Sequence, residues 1–150
     1  MSTLTKIQSE LKAPKNQRNN FGNYNYRSCE DILEALKPIL AQHDASVIIS
    51  DEIVEVGGRV YVKATCHFKS KDGECDVTAY AREAITKKGM DEAQITGSAS
   101  SYARKYALND MFLIDDTKDP DATNDHGQKK ATKKASTKKT TTPSIDEDLF

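Results

Sequence analysis

Three β-like segments separated by two short turns constrain the fold of this chain more than any other feature. The pairs Gly57-Gly58 and Asp72-Gly73 are strong hairpin signals, because such residues tolerate the positive φ angles of two-residue turns. A three-stranded antiparallel meander is therefore predicted over about residues 46–83. Strand register follows from turn position, so the two turns also predict which residues share a face of the sheet.

One face of the predicted sheet is apolar and the other is polar, basic and aromatic. Counting outward from the first turn pairs Glu52 with Lys63, and counting from the second pairs Lys63 with Arg82. The apolar face, interrupted only by Asp51, contains Ile49, Ile53, Val62, Ala64, Cys66, Phe68, Val77, Ala79 and Ala81. Like charges at Lys63 and Arg82 are destabilising unless Glu52 or a bound phosphate compensates them.

Helices before and after the meander complete a predicted α+β fold. Ser28 followed by Asp31 resembles a capping box, and the apolar spacing after it predicts a helix over about 29–43. A long helix is predicted over about 90–108, packed on the sheet. Its predicted core stripe consists of Ile95, Ala99, Tyr102, Ala103 and Tyr106. Apolar spacing within residues 1–12 indicates a further short amphipathic helix.

Composition divides the chain into three segments. Residues 1–27 are predicted to hold the N-terminal helix and a basic, aromatic loop, and residues 28–114 form the core. Residues 115–150 combine an aspartate-rich run with a lysine-rich tract, so they are predicted to be a disordered tail. The tail ends in an acidic and apolar tip that is a candidate ligand for a partner's groove. The residues of this tip are Asp146, Glu147, Asp148, Leu149 and Phe150.

Local basic clusters indicate phosphate binding, although the net charge of the whole chain is only −1. Basic and aromatic residues alternate in the loop 14–27, as in proteins that bind single strands; aromatics that anchor the loop to the core are the alternative. An Arg-Lys pair beside serines on the long helix also suits phosphate oxygens. The candidate DNA contacts are Arg18, Arg27, Lys63, Arg82, Lys87, Lys88, Ser101, Arg104 and Lys105.

Several classes of protein find little support in the sequence. No apolar run suits a membrane span or a secretory signal, so a cytoplasmic location is predicted. Cys29, Cys66 and Cys75 lack the spacing of a disulfide framework or a zinc site. Phosphate-loop and catalytic metal motifs are absent, so neither an enzyme nor a cofactor is predicted. A nuclease using aspartates of 115–125 is the catalytic alternative, but isolated solvated aspartates seldom form a two-metal site.

The combination of these segments resembles a known family. Tyr26-Arg27-Ser28 leads into the first core helix, the two-turn meander follows, and the long helix contains the small-residue and tyrosine segment 97–108 before Asp115-Asp116. Together they resemble the Erf (essential recombination function) single-strand annealing proteins of bacteriophages and prophages, over roughly residues 14–120. The Ser-Tyr-Ala-Arg-Lys-Tyr motif at 101–106 is the most specific part of the resemblance.

The resemblance implies a recombination protein that binds single-stranded DNA, anneals complementary strands without ATP, and forms a ring or filament of identical subunits. It implies a positively charged groove along helix and sheet, with Arg104 and Lys105 toward phosphate and Lys63 and Arg82 contributing from the sheet. The near-neutral core departs from that pattern, so any groove must gather its cations locally.

The acidic tip separately resembles the C-terminal tip of bacterial single-stranded DNA-binding proteins, which recruits partner enzymes. It therefore implies host replication or recombination proteins as partners, and an ordinary solubilising terminus is the alternative.

Two other functions of the whole protein remain open. A passive single-stranded DNA-binding protein of the OB type would need five strands where three are predicted. An oligomeric adaptor that recruits partners through its tip would not bind DNA at all.

Overall fold

The computed structural model describes residues 1–115 as an α+β domain. Its elements are α1 (Thr3–Glu10), β1 (Gln17–Asn19), β2 (Tyr24–Tyr26), α2 (Cys29–Gln42), β3 (Ser46–Val56), β4 (Arg59–Ser70), β5 (Gly73–Arg82) and α3 (Glu92–Phe112). The predicted fold class and the order helix, meander, long helix are confirmed. The predicted tail disorder and tip lie, from residue 116 onward, outside the described residues.

The first hairpin of the meander has the predicted register. Val56 lies opposite Arg59 and Glu52 lies opposite Lys63, with β4 at the centre of the sheet. Gly57 and Gly58 have φ angles of 58° and 75°, which is the conformation that a tight hairpin turn requires at both central residues. The two glycines therefore set the register, because residues with side chains rarely adopt these angles.

The second hairpin turns one residue earlier than predicted. Ser70 pairs with Gly73, so Lys71-Asp72 and not Asp72-Gly73 form the turn. The N–H of Asp72 donates to Ser70 Oγ at 3.3 Å, and the Asp72 carboxylate accepts the N–H of Thr3 at 2.7 Å. These contacts hold Asp72 in the turn, and Gly73 begins the strand with a φ of 137°. The Thr3 contact comes from a distant part of the chain, which local turn signals cannot reveal.

The earlier turn changes the cross-strand partners without changing the faces. Lys63 lies opposite Tyr80 and Arg82 lies opposite Tyr61, so the predicted pairing of Lys63 with Arg82 is wrong. Moving the turn by one residue shifts the pairing by two, and side chains alternate with a period of two, so each side chain keeps its predicted face.

Capping boxes start both long helices. Ser28 Oγ accepts the N–H of Asp31 at 3.1 Å, and the Asp31 carboxylate accepts the N–H of Ser28 at 2.8 Å. These hydrogen bonds, led by the one from the Ser28 backbone, lower the pKa of Asp31. Asp91 and Gln94 make the equivalent pair of bonds, both at 2.9 Å, at the start of α3. The predicted capping box of α2 is thus confirmed, and a second one starts α3.

The core lies between the apolar face of the sheet and the helices. Its largest fully buried side chains are Phe112, Ile7, Ile32, Leu36, Leu108, Val62 and Cys66. α3 continues four residues beyond the predicted end at residue 108, because Met111 and Phe112 are also buried, and the Phe112 ring packs edge-on against Phe68 with centroids 6.4 Å apart. None of the three described helices is long and apolar enough to span a membrane.

The segment predicted as a polar loop contains a small hairpin. β1 and β2 pair from Gln17 with Tyr26 to Asn19 with Tyr24, and the Asn19 side chain accepts the N–H of Gly22 at 2.9 Å inside the turn. Three-residue strands rich in asparagine are too short for a periodicity signal. Phe21 is fully exposed at the turn, so the alternative in which the aromatics anchor the segment to the core does not describe this residue.

Candidate nucleic-acid interface

A pocket at the start of α2 brings together three of the predicted DNA contacts. This α2 pocket, about 290 Å³ in volume, is lined by Tyr26, Arg27, Ser28, Cys29, Ser98, Ser101, Tyr102 and Lys105. Arg27 and Lys105 supply positive charge and the serines supply hydroxyl donors. The N-terminus of α2 borders the same space, and the dipole of a helix favours anions at that end. The α2 pocket therefore has the chemistry of a phosphate-binding site.

Two buried groups beside the α2 pocket are Arg27 and Cys29. Arg27 is 9% exposed and donates from Nη1 to the carbonyl oxygen of Asp115 at 3.4 Å, which holds its guanidinium in place. Burial raises the pKa of the Cys29 thiol although the cations of Arg104 and Lys105 act against it. Cys29 therefore stays neutral at physiological pH, and it does not offset the positive charge of Arg27 and Lys105.

A second pocket lies between β5 and α3. This β5 pocket, about 390 Å³ in volume, is lined by Tyr80, Ala81, Arg82, Ala84, Lys87, Met90, Ile95, Ser98, Ala99, Tyr102 and Tyr106. Arg82 and Lys87 are predicted DNA contacts, and the tyrosines and Met90 give the pocket flat, partly apolar walls. Tyr80 is an outer-face residue, yet it reaches this pocket because β5 forms an edge of the sheet.

The two pockets adjoin at α3. Ser98 and Tyr102 line both of them, so together they form one continuous surface that we term the tyrosine groove. Tyr102 is 51% exposed and its ring lies 6.0 Å from that of Tyr106, which is 41% exposed. The prediction that these two tyrosines belong to the core stripe of α3 is wrong, since the sheet is covered by the small residues Ala99 and Ala103 instead.

Arg104, by contrast, lies on the other flank of α3 and contacts β3. Its Nη2 atom lies 2.9 Å and its Nε atom 3.2 Å from Asp51 Oδ2, and Ser100 also donates to this carboxylate. Burial opposes ionisation of Asp51, but the hydrogen bonds from Arg104 and Ser100 and the Arg104 charge together lower its pKa. The hydrogen bonds that Arg104 donates to Asp51 in turn raise the pKa of Arg104. The one polar residue on the predicted apolar face thus has a specific partner.

Three other predicted contacts also lie outside the tyrosine groove. Lys63 is on the outer face of the sheet, where its Nζ lies 3.8 Å from Glu52, the compensating carboxylate expected from the register. Arg18 is in the β1–β2 hairpin and donates to Asn25 at 3.2 Å and to Asn23. Lys88 is exposed in the connection between β5 and α3 and lines neither pocket.

A glycine lies on the exposed side of α3 next to the groove. A Cβ atom added to Gly97 would meet nothing within 4 Å among the described residues, so packing inside the domain does not require a glycine here. Glycine in a helix interior costs about 1 kcal/mol relative to alanine. The helix therefore carries this cost without a contact in the described domain that requires a glycine.

Comparison with known proteins assigns the family. The model of the ERF superfamily matches residues 1–147. The chain belongs to the ERF superfamily. It is similar to the essential recombination function protein of Salmonella phage P22, with 57% identity over 125 residues. The matched region is 83% of this chain and 60% of that relative, so the chain spans less than two thirds of the relative's length. No solved structure matches the chain.

Membership in the ERF superfamily confirms the resemblance drawn from the sequence. The sequence motif at 101–106 lies in the middle of α3, where it supplies Ser101, Tyr102 and Lys105 to the groove. Tyr26, Tyr80 and Met90 were not among the predicted contacts. Only the spacing of Tyr102 and Tyr106, four residues apart, could have indicated a pair of rings on one side of this helix.

Proposed function

We propose that this ERF superfamily member is a phage-type recombination protein that binds single-stranded DNA in the tyrosine groove and promotes ATP-independent annealing of complementary strands. One observation carries the proposal: half-exposed tyrosines lie between two pairs of basic residues, Arg27 with Lys105 and Arg82 with Lys87. Single-strand binding proteins combine these two elements, because bases stack on flat rings while cations bind the phosphates.

The groove suits binding without sequence preference. Every base has a π face that can stack on Tyr102 or Tyr106, and phosphates are the same in every sequence. Contacts to base faces and phosphates leave the Watson–Crick edges available for a complementary strand. Pairing then requires no energy source, because duplex formation is itself favourable. The protein would hold the strand in an accessible arrangement, and no chemical step and no cofactor enters the proposal.

Assembly and partners extend the proposal beyond one subunit. We propose that several copies form a ring or filament, so that their grooves follow one DNA strand, and that the protein acts in the cytoplasm of the bacterial host. The acidic tip, Asp146 to Phe150, is proposed to bind host replication or recombination proteins. The lysines of the tail would add salt-dependent affinity for DNA that does not depend on sequence.

Two alternatives receive less support from the structure. An OB-type binder would be built on a five-stranded barrel, whereas the five strands of residues 1–115 form one two-stranded and one three-stranded sheet. A non-DNA adaptor would not need basic residues gathered around exposed tyrosines. The tail tip, which suggested both alternatives, is compatible with all three functions.

An annealing assay with Tyr102 variants tests the proposal. Wild type is expected to accelerate pairing of complementary oligonucleotides without ATP. Loss of a stacked base costs about 1–3 kcal/mol, so Tyr102→Ala is expected to bind single strands about 5-fold to 150-fold more weakly. Tyr102→Phe keeps the ring and should retain binding. Binding that slows annealing would favour the passive binder, and the absence of DNA binding by wild type would favour the adaptor.

A further inference from the structure

Both outer edges of the three-stranded sheet are long and open. β3 has 11 residues and β5 has 10, and within residues 1–115 no other strand pairs with either one. An open edge presents unpaired backbone N–H and C=O groups, which proteins usually protect with proline, lysine or a covering element. Neither strand contains proline or lysine. β3 does carry the charged residues Asp51, Glu52 and Glu55, but both edges keep their backbone groups open along a similar length, which suits pairing with another strand.

The ladder between β3 and β4 defines which backbone groups of β3 point outward. The N–H of Glu83 donates to the carbonyl oxygen of Val60 at 2.8 Å, so the polar groups of Val60 point toward β5 and away from β3. Glu55, the β3 partner of Val60, is therefore in a non-hydrogen-bonded pair, and its own polar groups point outward. Because this direction alternates along the strand, the β3 residues whose backbone N–H and C=O groups point outward are Val47, Ile49, Asp51, Ile53 and Glu55.

The same alternation defines the outer edge of β5. Glu83 continues the β5 register opposite Val60 and forms a hydrogen-bonded pair with it, so odd-numbered residues of β5 bond to β4. The even-numbered residues direct their N–H and C=O groups away from the sheet. They are Glu74, Asp76, Thr78, Tyr80 and Arg82. Each edge thus offers the backbone groups of five residues to a neighbour.

We propose that β5 of one copy of this chain pairs in parallel with β3 of the next copy, so that the sheet continues from subunit to subunit. β3 and β5 run in the same direction, because each is antiparallel to β4. When identical subunits are placed edge to edge in the same orientation, β5 of one therefore lies parallel to β3 of the next. This inference rests on the assembly proposed above and names its interface.

Charge favours pairing between unlike edges. β3 carries three acidic residues, Asp51, Glu52 and Glu55, and no basic one, so antiparallel pairing of two β3 strands about their centres would bring like charges together. In a parallel pairing with the ends aligned, Arg82 at the end of β5 comes close to the acidic end of a neighbour's β3. Glu74 and Asp76 at the start of β5 then align with the uncharged start of β3, so charge favours a second copy, in head-to-tail orientation, as the occupant of the β3 edge.

Exposed apolar side chains on β3 support the same pairing. Ile48 is 65% exposed on the outer face, and Ile53 is 56% exposed although it lies on the apolar face as predicted, because β3 is the edge strand. A neighbouring β5 would cover both side chains. Since head-to-tail pairing leaves one open edge at each end, it continues into a ring or a filament and does not stop at a dimer.

Two edge-blocking variants test the interface. Ile53→Pro removes an outward N–H from β3, and Thr78→Pro removes one from β5, while the bonds to β4 remain. By mass photometry and light scattering without DNA, wild type is expected to form assemblies larger than a dimer and each variant alone a monomer. A mixture of the two variants is expected to form a one-to-one dimer, because each contributes the edge that the other lacks.

Each contrary outcome of the mixing experiment is distinct. Dimers of Thr78→Pro alone would indicate β3 self-pairing, and dimers of Ile53→Pro alone would indicate β5 self-pairing; either result overturns the proposal, as does a monomeric wild type. If Ile53→Pro is unfolded by circular dichroism, Ile53→Lys replaces it and should also be monomeric. Ile85→Lys is the control for this substitution, because Ile85 is also exposed, at 78%, but lies outside both strands, and it should assemble like wild type.

Assembly and DNA binding can fail independently in this design. The masses are measured without DNA, and single-strand affinity is measured separately by anisotropy on the same variants. A monomeric Ile53→Pro that still binds a short oligonucleotide as wild type does supports the edge interface and the groove together. An assembled wild type without DNA affinity would contradict the groove while leaving the interface intact.

Discussion

The two flanks of α3 differ in what surrounds their basic residues. On the β3 flank, Arg104 is bonded to Asp51, which lies in the sheet edge beside the helix. On the opposite flank, Lys105 lines the α2 pocket together with Arg27 and Tyr102. Arg104 and Lys105 are adjacent in sequence, but consecutive helical residues point about 100° apart, so a cluster along the chain is not a cluster in space.

The sheet repeats this contrast between its β3 and β5 sides. Lys63 lies near Glu52 of β3, just as Arg104 lies near Asp51 of the same strand. Arg82, at the other edge, lines the β5 pocket with Lys87 and the tyrosines. The acidic residues of β3 therefore reduce the positive charge beside that strand. The tyrosine groove gathers Arg27, Arg82, Lys87 and Lys105, with Asp31 acting on Lys105, and is the candidate surface for phosphates.

Separate replacement of Arg104 and Lys105 should show that these adjacent residues contribute unequally to DNA binding. Lys105→Ala is expected to weaken single-strand binding about fivefold to tenfold at low salt and to reduce the slope of log affinity against log salt by about 0.7. Arg104→Ala should leave that slope nearly unchanged, because Asp51 already neutralises the guanidinium. Fluorescence anisotropy across a salt series measures both effects. Equal slope changes for the two variants would contradict the division of α3 into two flanks.

A double-mutant cycle should measure the contact on the β3 flank. Arg104→Ala and Asp51→Ala are expected to show a coupling of about 0.5–1 kcal/mol in the free energy of unfolding, reduced by solvent because the Arg104 side chain is 44% exposed. Urea unfolding of the monomeric Ile53→Pro background gives these energies without contributions from assembly. The same cycle on Lys63 and Glu52, whose charged atoms are 3.8 Å apart and whose carboxylate side chain is 70% exposed, is the control and should give a coupling close to zero.

Hairpin chemistry made much of the fold predictable from sequence. Gly57-Gly58 fixed the first register because both positions require positive φ, and the capping box of Ser28 and Asp31 fixed the start of α2. The predicted pairing of β4 with β5 was wrong by two residues, because Thr3, far away in the chain, holds Asp72 in the turn. Local signals predict local structure, and they are least reliable where a distant segment provides the deciding hydrogen bond.

The candidate site was less predictable than the fold. Nine basic or hydroxyl residues were named as candidate contacts, but which of them share a groove depends on the flanks of α3 and on the edges of the sheet. Tyr102 was assigned to the core because its spacing matches the apolar stripe, whereas alanines at 99 and 103 cover the sheet and leave the ring half exposed. Helical periodicity alone does not distinguish a large aromatic that packs from one that lies at the rim of a pocket.

Acid should remove the charge interaction between Asp51 and Arg104 on the β3 flank. Its effect on the free energy of unfolding should be the smallest of the effects predicted here. The pKa of Asp51 is lowered from 3.8 in the folded state, so its contribution to stability is complete above about 3.8, the unfolded value, and is lost as the pH falls through the lower folded value. Asp51→Asn removes this titration and keeps a side chain of similar size. The stability difference between wild type and Asp51→Asn, both in the Ile53→Pro background, should be constant from pH 7 to pH 5 and shrink below pH 4. It should not vanish, because a protonated Asp51 still accepts hydrogen bonds from Arg104 and Ser100. Urea unfolding across this range measures the difference. A difference that grows on acidification would show that folding raises the pKa of Asp51 and does not lower it.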